Sequence, residues 1–428
     1  MFTWGKPEHG RLGRGVSAEV DEFNHVYRPL RVNNIPDSAI IRDIACGKSH
    51  MLCCGKNGEL FSWGDNRCAQ LGISSKDTSE AHATFSKMSY LIGYSTHSEL
   101  SAIMATSPTL SDSLPGLKVS KVACGAYHSL CLTSDGTVYS WGRFANGRLG
   151  QYMDDFVAPE HAVNKPTPIK WNTKNTVRVD EQMCEIGNSD ADLLLHNADS
   201  FELLNTIPRA SRAIMIIPRI TKICAGNSHS LAVSDRGAVY SWGCGTHGRL
   251  GHGDHNDEYI PRRIESLNTI RIMNIAAGTA HSIFLSTHGY LFGCGYNKHG
   301  QVIPHPTTEF HTGKSKLDSD SVLLPLPICI SPNTCPTLSK FPTDLKSEEF
   351  KEITLVVKQI SCGDAHSAAI TSRDNLVVTW GQFNHHTWGS ANTSNDEQSR
   401  MTDVTDSLHG NIPLTINCSG NNIMVVTP

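Results

Sequence analysis

The chain has 428 residues, with 35 glycines, 14 cysteines, 39% hydrophobic and 18% charged residues, a fully globular profile. Its 37 basic and 41 acidic residues leave a net charge of −4, so no whole-molecule field draws it to nucleic acid or anionic lipid, and chromatin binding through a basic arm is disfavoured. Length alone allows two or three ordinary domains, with repeat architectures as the standing exception.

The N-terminus has no apolar h-region, and the longest apolar run, Ala213 to Ile217, is far short of the ~20 residues needed to span a bilayer. An intracellular protein is expected, cytoplasmic, nuclear or both. No two cysteines are spaced Cys-x-x-Cys, so neither a zinc ribbon nor a redox motif is present and free, buried thiols are expected. Trp4-Gly5 and Gly10-Arg11-Leu12-Gly13 open the chain, and the first full unit begins at Ala45-Cys46-Gly47-Lys48-Ser49-His50. That hexapeptide recurs with Gly125 and His128, Gly226 and His229, Gly278 and His281, and Gly363 and His366. Such self-similarity at internal spacing is the mark of a repeat fold.

Seventeen residues after the first four of these glycines stand Gly64, Gly142, Gly243 and Gly295, and Gly381 follows the fifth after 18. Trp63, Trp141, Trp242 and Trp380 precede them, with Cys294 as the one departure. Between the two glycines the text alternates (Leu130, Leu132), turns at Ser134-Asp135-Gly136 and alternates again (Val138, Tyr139, Trp141), which predicts a hairpin of at least two antiparallel strands. Glycine-punctuated short strands without helical periodicity predict an all-β array of blades.

Gly187-Asn188-Ser189-Asp190 reads as a degenerate unit, with Phe201 and Leu203 at the Tyr and Trp positions. Cys418-Ser419-Gly420 restarts the pattern near the C-terminus, and the piece missing between the two ends is the hairpin turn. One blade shared between the termini is therefore expected to close the ring and remove the free sheet edge. Units at glycines 47, 125, 187, 226, 278, 363 and 420 predict seven blades, or six if the degenerate unit does not form. The whole of 1–428 is expected to be one propeller with insertions at 73–118, 151–183, 296–358 and 382–411. The third, with Pro304, Pro306, Pro325, Pro327, Pro332, Pro336 and Pro342, is expected to be an extended docking segment.

Enzymatic readings are weak. Gly243-Cys244-Gly245-Thr246-His247-Gly248 spells a dinucleotide fingerprint but leads into a repeat turn instead of the required helix. His247, His252 and His255 with Asp254 and Asp257 lack a second ligand pair, so no metal site is assigned and no cofactor is expected. The repeat histidines and tryptophans are expected to pack and hydrogen-bond the blades.

The runs Ala-Cys-Gly-x-x-His-Ser, Ser-Asp-Gly, Val-Tyr-Ser-Trp-Gly and Gly-Arg-Leu-Gly resemble the regulator of chromosome condensation family, whose members form seven-bladed β-propellers. The family includes a nucleotide-exchange factor for the Ran-type GTPase, other small-GTPase regulators, photoreceptors and propellers fused to ubiquitin-ligase or kinase domains. In the exchange factor, the resemblance implies, acidic and histidine side chains stand just before the repeat histidine. Here that place holds Ser49, Tyr127, Ser189, Ser228, Ala280 and Ala365, with Asp364 and Asp190 as nearest substitutes, and Arg209 to Ile217 is the candidate wedge. The expected function is thus a monomeric protein-interaction propeller, binding a protein partner and regulating a small GTPase as a scaffold. The alternative is an active guanine-nucleotide exchange factor for a Ran-like GTPase.

Overall fold

In a computed structural model the described residues are 1–5, 8–13, 26–32, 35–73, 104–110, 116–151, 162–171, 217–303, 320–328, 356–382, 402–408, 410–420 and 422–427. A terminal hairpin pairs β1 (Phe2–Gly5) with β2 (Val26–Arg31). Blade 1 contains β3 (Ile41–Cys46), β4 (His50–Gly55), β5 (Leu60–Asp65) and β6 (Met104–Leu110). Blade 2 contains β7 (Val119–Cys124), β8 (His128–Thr133), β9 (Val138–Arg143) and β10 (Ala162–Pro168). Blade 3 contains β11 (Ile220–Ala225), β12 (His229–Ser234), β13 (Val239–Gly243) and β14 (Glu258–Arg263). Blade 4 contains β15 (Ile272–Ala277), β16 (His281–Ser286), β17 (Leu291–Tyr296) and β18 (Ser321–Ile328). Blade 5 contains β19 (Val357–Cys362), β20 (His366–Thr371), β21 (Val377–Gly381) and β22 (Thr402–Asp403), and β23 (Thr415–Ser419) pairs with β24 (Asn422–Val426).

Each four-stranded sheet is antiparallel in chain order, and the chain forms a β-propeller. The first strands of consecutive units touch one another, so they line the inside of the array. The apolar cores lie between sheets: Leu130, Leu132 and Val138 of blade 2 pack with Ile220, Ala232 and Trp242 of blade 3, and Leu285 and Leu291 of blade 4 with Val357, Ile360 and Trp380 of blade 5. A second strand covered on both faces has no solvent side, which is why β8, β12, β16 and β20 are buried along their whole length and why apolar–polar alternation is weak there.

The fourth strands come from within the segments that the sequence assigns to insertions. Residues 104–110, 162–168, 321–328 and 402–403 all pair with the third strand of their blade. Pro325 and Pro327 thus belong to the outer strand of blade 4. An outer strand needs hydrogen bonds on one side only, so proline is tolerated there and blocks further pairing.

Two expectations about the ring, the blade count and its closure, go beyond what the described residues show. Blade 2 docks directly on blade 3, with Ala126 N donating to Asn227 O (3.2 Å); the unit read at Gly187 lies outside the described residues. Five complete blades and two terminal hairpins account for the described strands. The hairpins form separate sheets: residues flanking β1–β2, Met1, Arg11 and Ile35, meet blade 1, β23–β24 packs on blade 5, and no ladder joins β24 to β1 among the described residues. Trp4 is accordingly 49% exposed where Trp63 is fully buried, and Ile44 is 51% exposed where Ile275 in the matching position of blade 4 is 7% exposed.

Candidate functional site

The two recurring glycines of each unit answer two backbone demands. Gly142 sits at a break in register between β9 and β10 with φ +107°, a bulge conformation that L side chains avoid. Gly125 has an ordinary φ, but a Cβ there would overlap the His128 ring and stand 2.6 Å from Gly226 O of the next blade. The register glycine therefore lets consecutive inner loops approach.

That approach builds a repeated latch. His50 Nε2 meets Ser129 Oγ of the next blade at 2.9 Å. The same pairing joins His128 to Ser230, His229 to Ser282 and His281 to Ser367, each at 3.0 Å. Each of these serines donates to a turn carbonyl of the preceding blade: Gln70 O (2.6 Å), Arg148 O (2.9 Å), Arg249 O (2.7 Å) and Gln301 O (2.8 Å). With the hydroxyl proton committed to the carbonyl, histidine Nε2 carries a proton and donates to the serine. Trp141 and Trp242 add a second donor to the first two of those carbonyls, at 2.9 and 3.1 Å. Cys294, the departure from the Trp pattern, keeps the contact with Arg249 O through Sγ at 3.5 Å. Burial lowers the His50 pKa to about 4 and that of His281 to about 3. A neutral imidazole bonded through Nε2, with its unpartnered Nδ1 buried away from solvent, is a structural group that offers no proton acceptor on the surface.

Above the latches the residues after each register glycine form a rim. Lys48 N donates to Gly125 O (3.4 Å), Asn227 N to Gly278 O (3.3 Å), Thr279 N to Asp364 O (3.2 Å) and Asp364 N to Gly420 O (2.7 Å). Asp364 is exposed there and accepts from Thr279 Oγ1 at 3.1 Å, so its carboxylate is tied to the neighbouring blade. Asp190, its companion in the candidate exchange loop, and nearly all of the candidate wedge 209–217 lie outside the described residues. The opposite side of the rim is basic: Lys48 and Arg143 flank Tyr127, each 5.8 Å from the ring centroid. Sequence reading passed over Arg143 and Arg148 because both lie inside repeat signatures; the signal that they are more is that Gln70 and Gln301 fill the Arg148 position in sister turns.

The other chemical candidates are used locally. The glycine-rich run at 243–248 ends in a 3-10 turn followed by strand β14, without the helix a pyrophosphate site needs. His252 Nε2 bonds Ser241 Oγ (2.9 Å), His247 lies tilted against Tyr296 with centroids 4.7 Å apart, and Asp257 is held by Gly245 N (2.8 Å). The eleven described cysteines are free, and burial pushes the Cys53 thiol up to about 12. No helix among the described residues is long and apolar enough to cross a membrane.

The RCC1-like domain model matches residues 91–427, and regulator of chromosome condensation repeats match 1–54 and 41–70. The ultraviolet-B receptor UVR8 of Arabidopsis thaliana is 27% identical over 384 residues, covering 89% of this chain and 60% of the receptor. The human E3 ubiquitin-protein ligase HERC2 is 26% identical over 304 residues, 71% of this chain but 5% of the ligase, so the chain spans only part of these relatives. Among solved structures, human WBSCR16 superimposes with a TM-score of 0.57 at 18% identity, over 100% of this chain and 99% of that one. Prp20p of Saccharomyces cerevisiae, solved in a study of its binding to Gsp1p and histones, gives 0.52 at 21% identity, over 100% of this chain and 91% of that one; these likenesses show the fold. With its Gly-x-x-His latches and Trp-Gly bulges repeated from blade to blade, the chain belongs to the RCC1-like domain family.

Proposed function

We propose that this propeller is a protein-interaction module that binds and regulates a small GTPase as a scaffold. The observation that carries the reading is the rim. Its inner loops present Ser49, Tyr127, Ser228, Ala280 and Ala365 before the buried histidines, and the acidic Asp364 is bonded to Thr279. Among the described residues these loops offer groups for docking but no unengaged carboxylate or exposed histidine with which to compete at a nucleotide's phosphates. The likeness to Prp20p, described with Gsp1p as a binding partner, favours a GTPase among protein partners.

Release of fluorescent GDP from a panel of small GTPases tests this reading. Binding by some member without accelerated release is expected. Acceleration at micromolar propeller, reduced by Asp364→Ala, would instead establish the alternative, an active exchange factor for a Ran-like GTPase. Loops are tested by excising 304–319 or 329–355, which spares the strand at 321–328. Partner capture is expected to fall at least about tenfold for one of the two, the change that loss of about 1.4 kcal/mol produces. Unchanged capture after both excisions removes the third insertion from the docking surface.

A further inference from the structure

The rim between blades 1 and 2 holds cations that the latches do not use. Lys48 and Arg143 lie on Tyr127, and Arg67 approaches from the turn after β5, its charge matched by Asp65. Arg67 Nη2 is 2.8 Å and Nε 3.0 Å from the Asp65 oxygens. Burial would raise the Asp65 carboxyl, but the Arg67 bonds outweigh it and hold the group ionised below its ordinary range.

Arg148 has no such match. It is 4% exposed, and its Nε donates to Ala145 O (2.7 Å) and its Nη2 to Asn146 Oδ1 (3.1 Å), both neutral acceptors. Nη1 makes no hydrogen bond among the described residues. Arg249, at the same place in the next turn, spends every arm of its fork, on Thr246 O, Thr246 Oγ1 and Thr279 O. Burial, and then the nearby charge of Arg143, lowers the Arg148 pKa to about 10. Asp257, the carboxylate that acts on it, is bonded by Gly245 N and Asn146 Nδ2 instead of by the guanidinium.

The turn itself does not require this charge. In the sister turns Gln70 accepts from Cys68 N (2.8 Å) and Gln301 from His299 N (3.0 Å), closing the loop with a neutral amide. A desolvated guanidinium without a carboxylate is costly, so its retention beside Arg143 and Lys48 points to an anionic partner from outside.

We propose that the blade 1–blade 2 rim binds an acidic peptide segment, whose carboxylates are received by Arg148 Nη1, Arg143 and Lys48 around Tyr127. The row of cations crosses two blades, which suits separate carboxylates along an extended chain better than one compact anion. Planar guanidinium forks pair with carboxylates at two points. A nucleic-acid duplex would extend past the patch over a protein of net charge −4, whose overall field repels it. This site is independent of whether the partner is a GTPase.

Fluorescence anisotropy with a fluorescein-labelled glutamate decapeptide tests the site, with a glutamine decapeptide and a DNA duplex as controls. Saturable binding to the glutamate peptide is expected at low salt, weakening strongly by about 0.3 M salt. Arg148→Gln, which copies the sister turns, and Arg143→Ala are each expected to weaken binding about tenfold, and adding Lys48→Ala to abolish it, with unchanged melting temperatures. Arg249→Gln is expected to stay within about twofold of wild type. No binding of the glutamate peptide, equal binding by the triple variant, or preference for DNA overturns the proposal.

Discussion

Acidification from pH 6.5 to about 4 is expected to unfold the propeller steeply, through protons that the latch histidines refuse while folded. Unfolded histidine titrates near 6.5. In the fold, burial holds His50 at about 4 and His281 at about 3, and burial followed by the Arg148 and Arg249 charges respectively holds His128 and His229 well below their ordinary value. These are bases whose folded pKa is depressed, so above pH 6.5 both states are neutral and stability is complete. Below 6.5 the unfolded chain binds protons that the native chain does not, and stability falls until the folded values are reached. Each histidine contributes about 1.4 kcal/mol per pH unit, and four together about 5 kcal/mol per unit. Against a total stability of about 5–15 kcal/mol, an unfolding midpoint one to three units below 6.5 follows. Denaturant titrations across this range, with potentiometric proton uptake on unfolding, measure it directly. Replacing His281 by Gln, which keeps a donor toward Ser367, is expected to reduce the uptake by about one proton. Stability that is flat from pH 6.5 to 4.5 would show that the imidazoles are not held neutral.

How much of this was legible in the sequence follows from where each requirement lies. Gly125, His128, Trp141 and Gly142 are fixed by local backbone geometry and by an identical neighbour, so the same letters recur at the same spacing and the blade is readable. The serine after each histidine recurs as faithfully (Ser129, Ser230, Ser282, Ser367), yet its partner in the latch lies 53 to 102 residues away, and no spacing within a unit reveals it. The outer strands carried a signal of another kind. Pro108, Pro166, Pro261 and Pro325 each fall in a fourth strand, because an edge tolerates a missing N–H; Pro325, read among its neighbouring prolines, passes for part of an extended insertion. The basic rim was hidden for the opposite reason. Arg148 satisfies the repeat pattern, and only in three dimensions does it separate from Arg249, whose Nη1 is taken by Thr279 O while that of Arg148 has no acceptor among the described residues. Ring closure was inferred from complementary chain ends, but pairing of β24 with β1 depends on register and contact that complementary lettering does not supply.

Gly125→Ala is expected to be strongly destabilising for a single added methyl. The added Cβ would overlap the His128 ring and stand 2.6 Å from Gly226 O, and neither obstacle is the free end of a flexible side chain. Relief requires either that blade 3 move away from blade 2 or that His128 leave its pocket. The first opens the core in which Leu130 and Leu132 meet Ile220 and Trp242; the second breaks the bond to Ser230 and leaves its hydroxyl with one partner fewer. Overpacking of this kind costs about 1–3 kcal/mol, and a lost buried hydrogen bond adds about 1 kcal/mol, so a loss of about 3 kcal/mol in denaturant unfolding is expected. Because a propeller is held by contacts between neighbouring blades, the damage is also expected to localise: limited proteolysis is expected to cut within 172–216, the connection between blades 2 and 3, before cutting within blades 4 and 5. Combining the substitution with His128→Ala removes the ring but not Gly226 O, and the double variant is expected to be less destabilised than the two single losses added together. A Gly125→Ala protein within about 0.5 kcal/mol of wild type, with an unchanged cleavage pattern, would show that the inner loops do not approach as closely as Ala126 N and Asn227 O require.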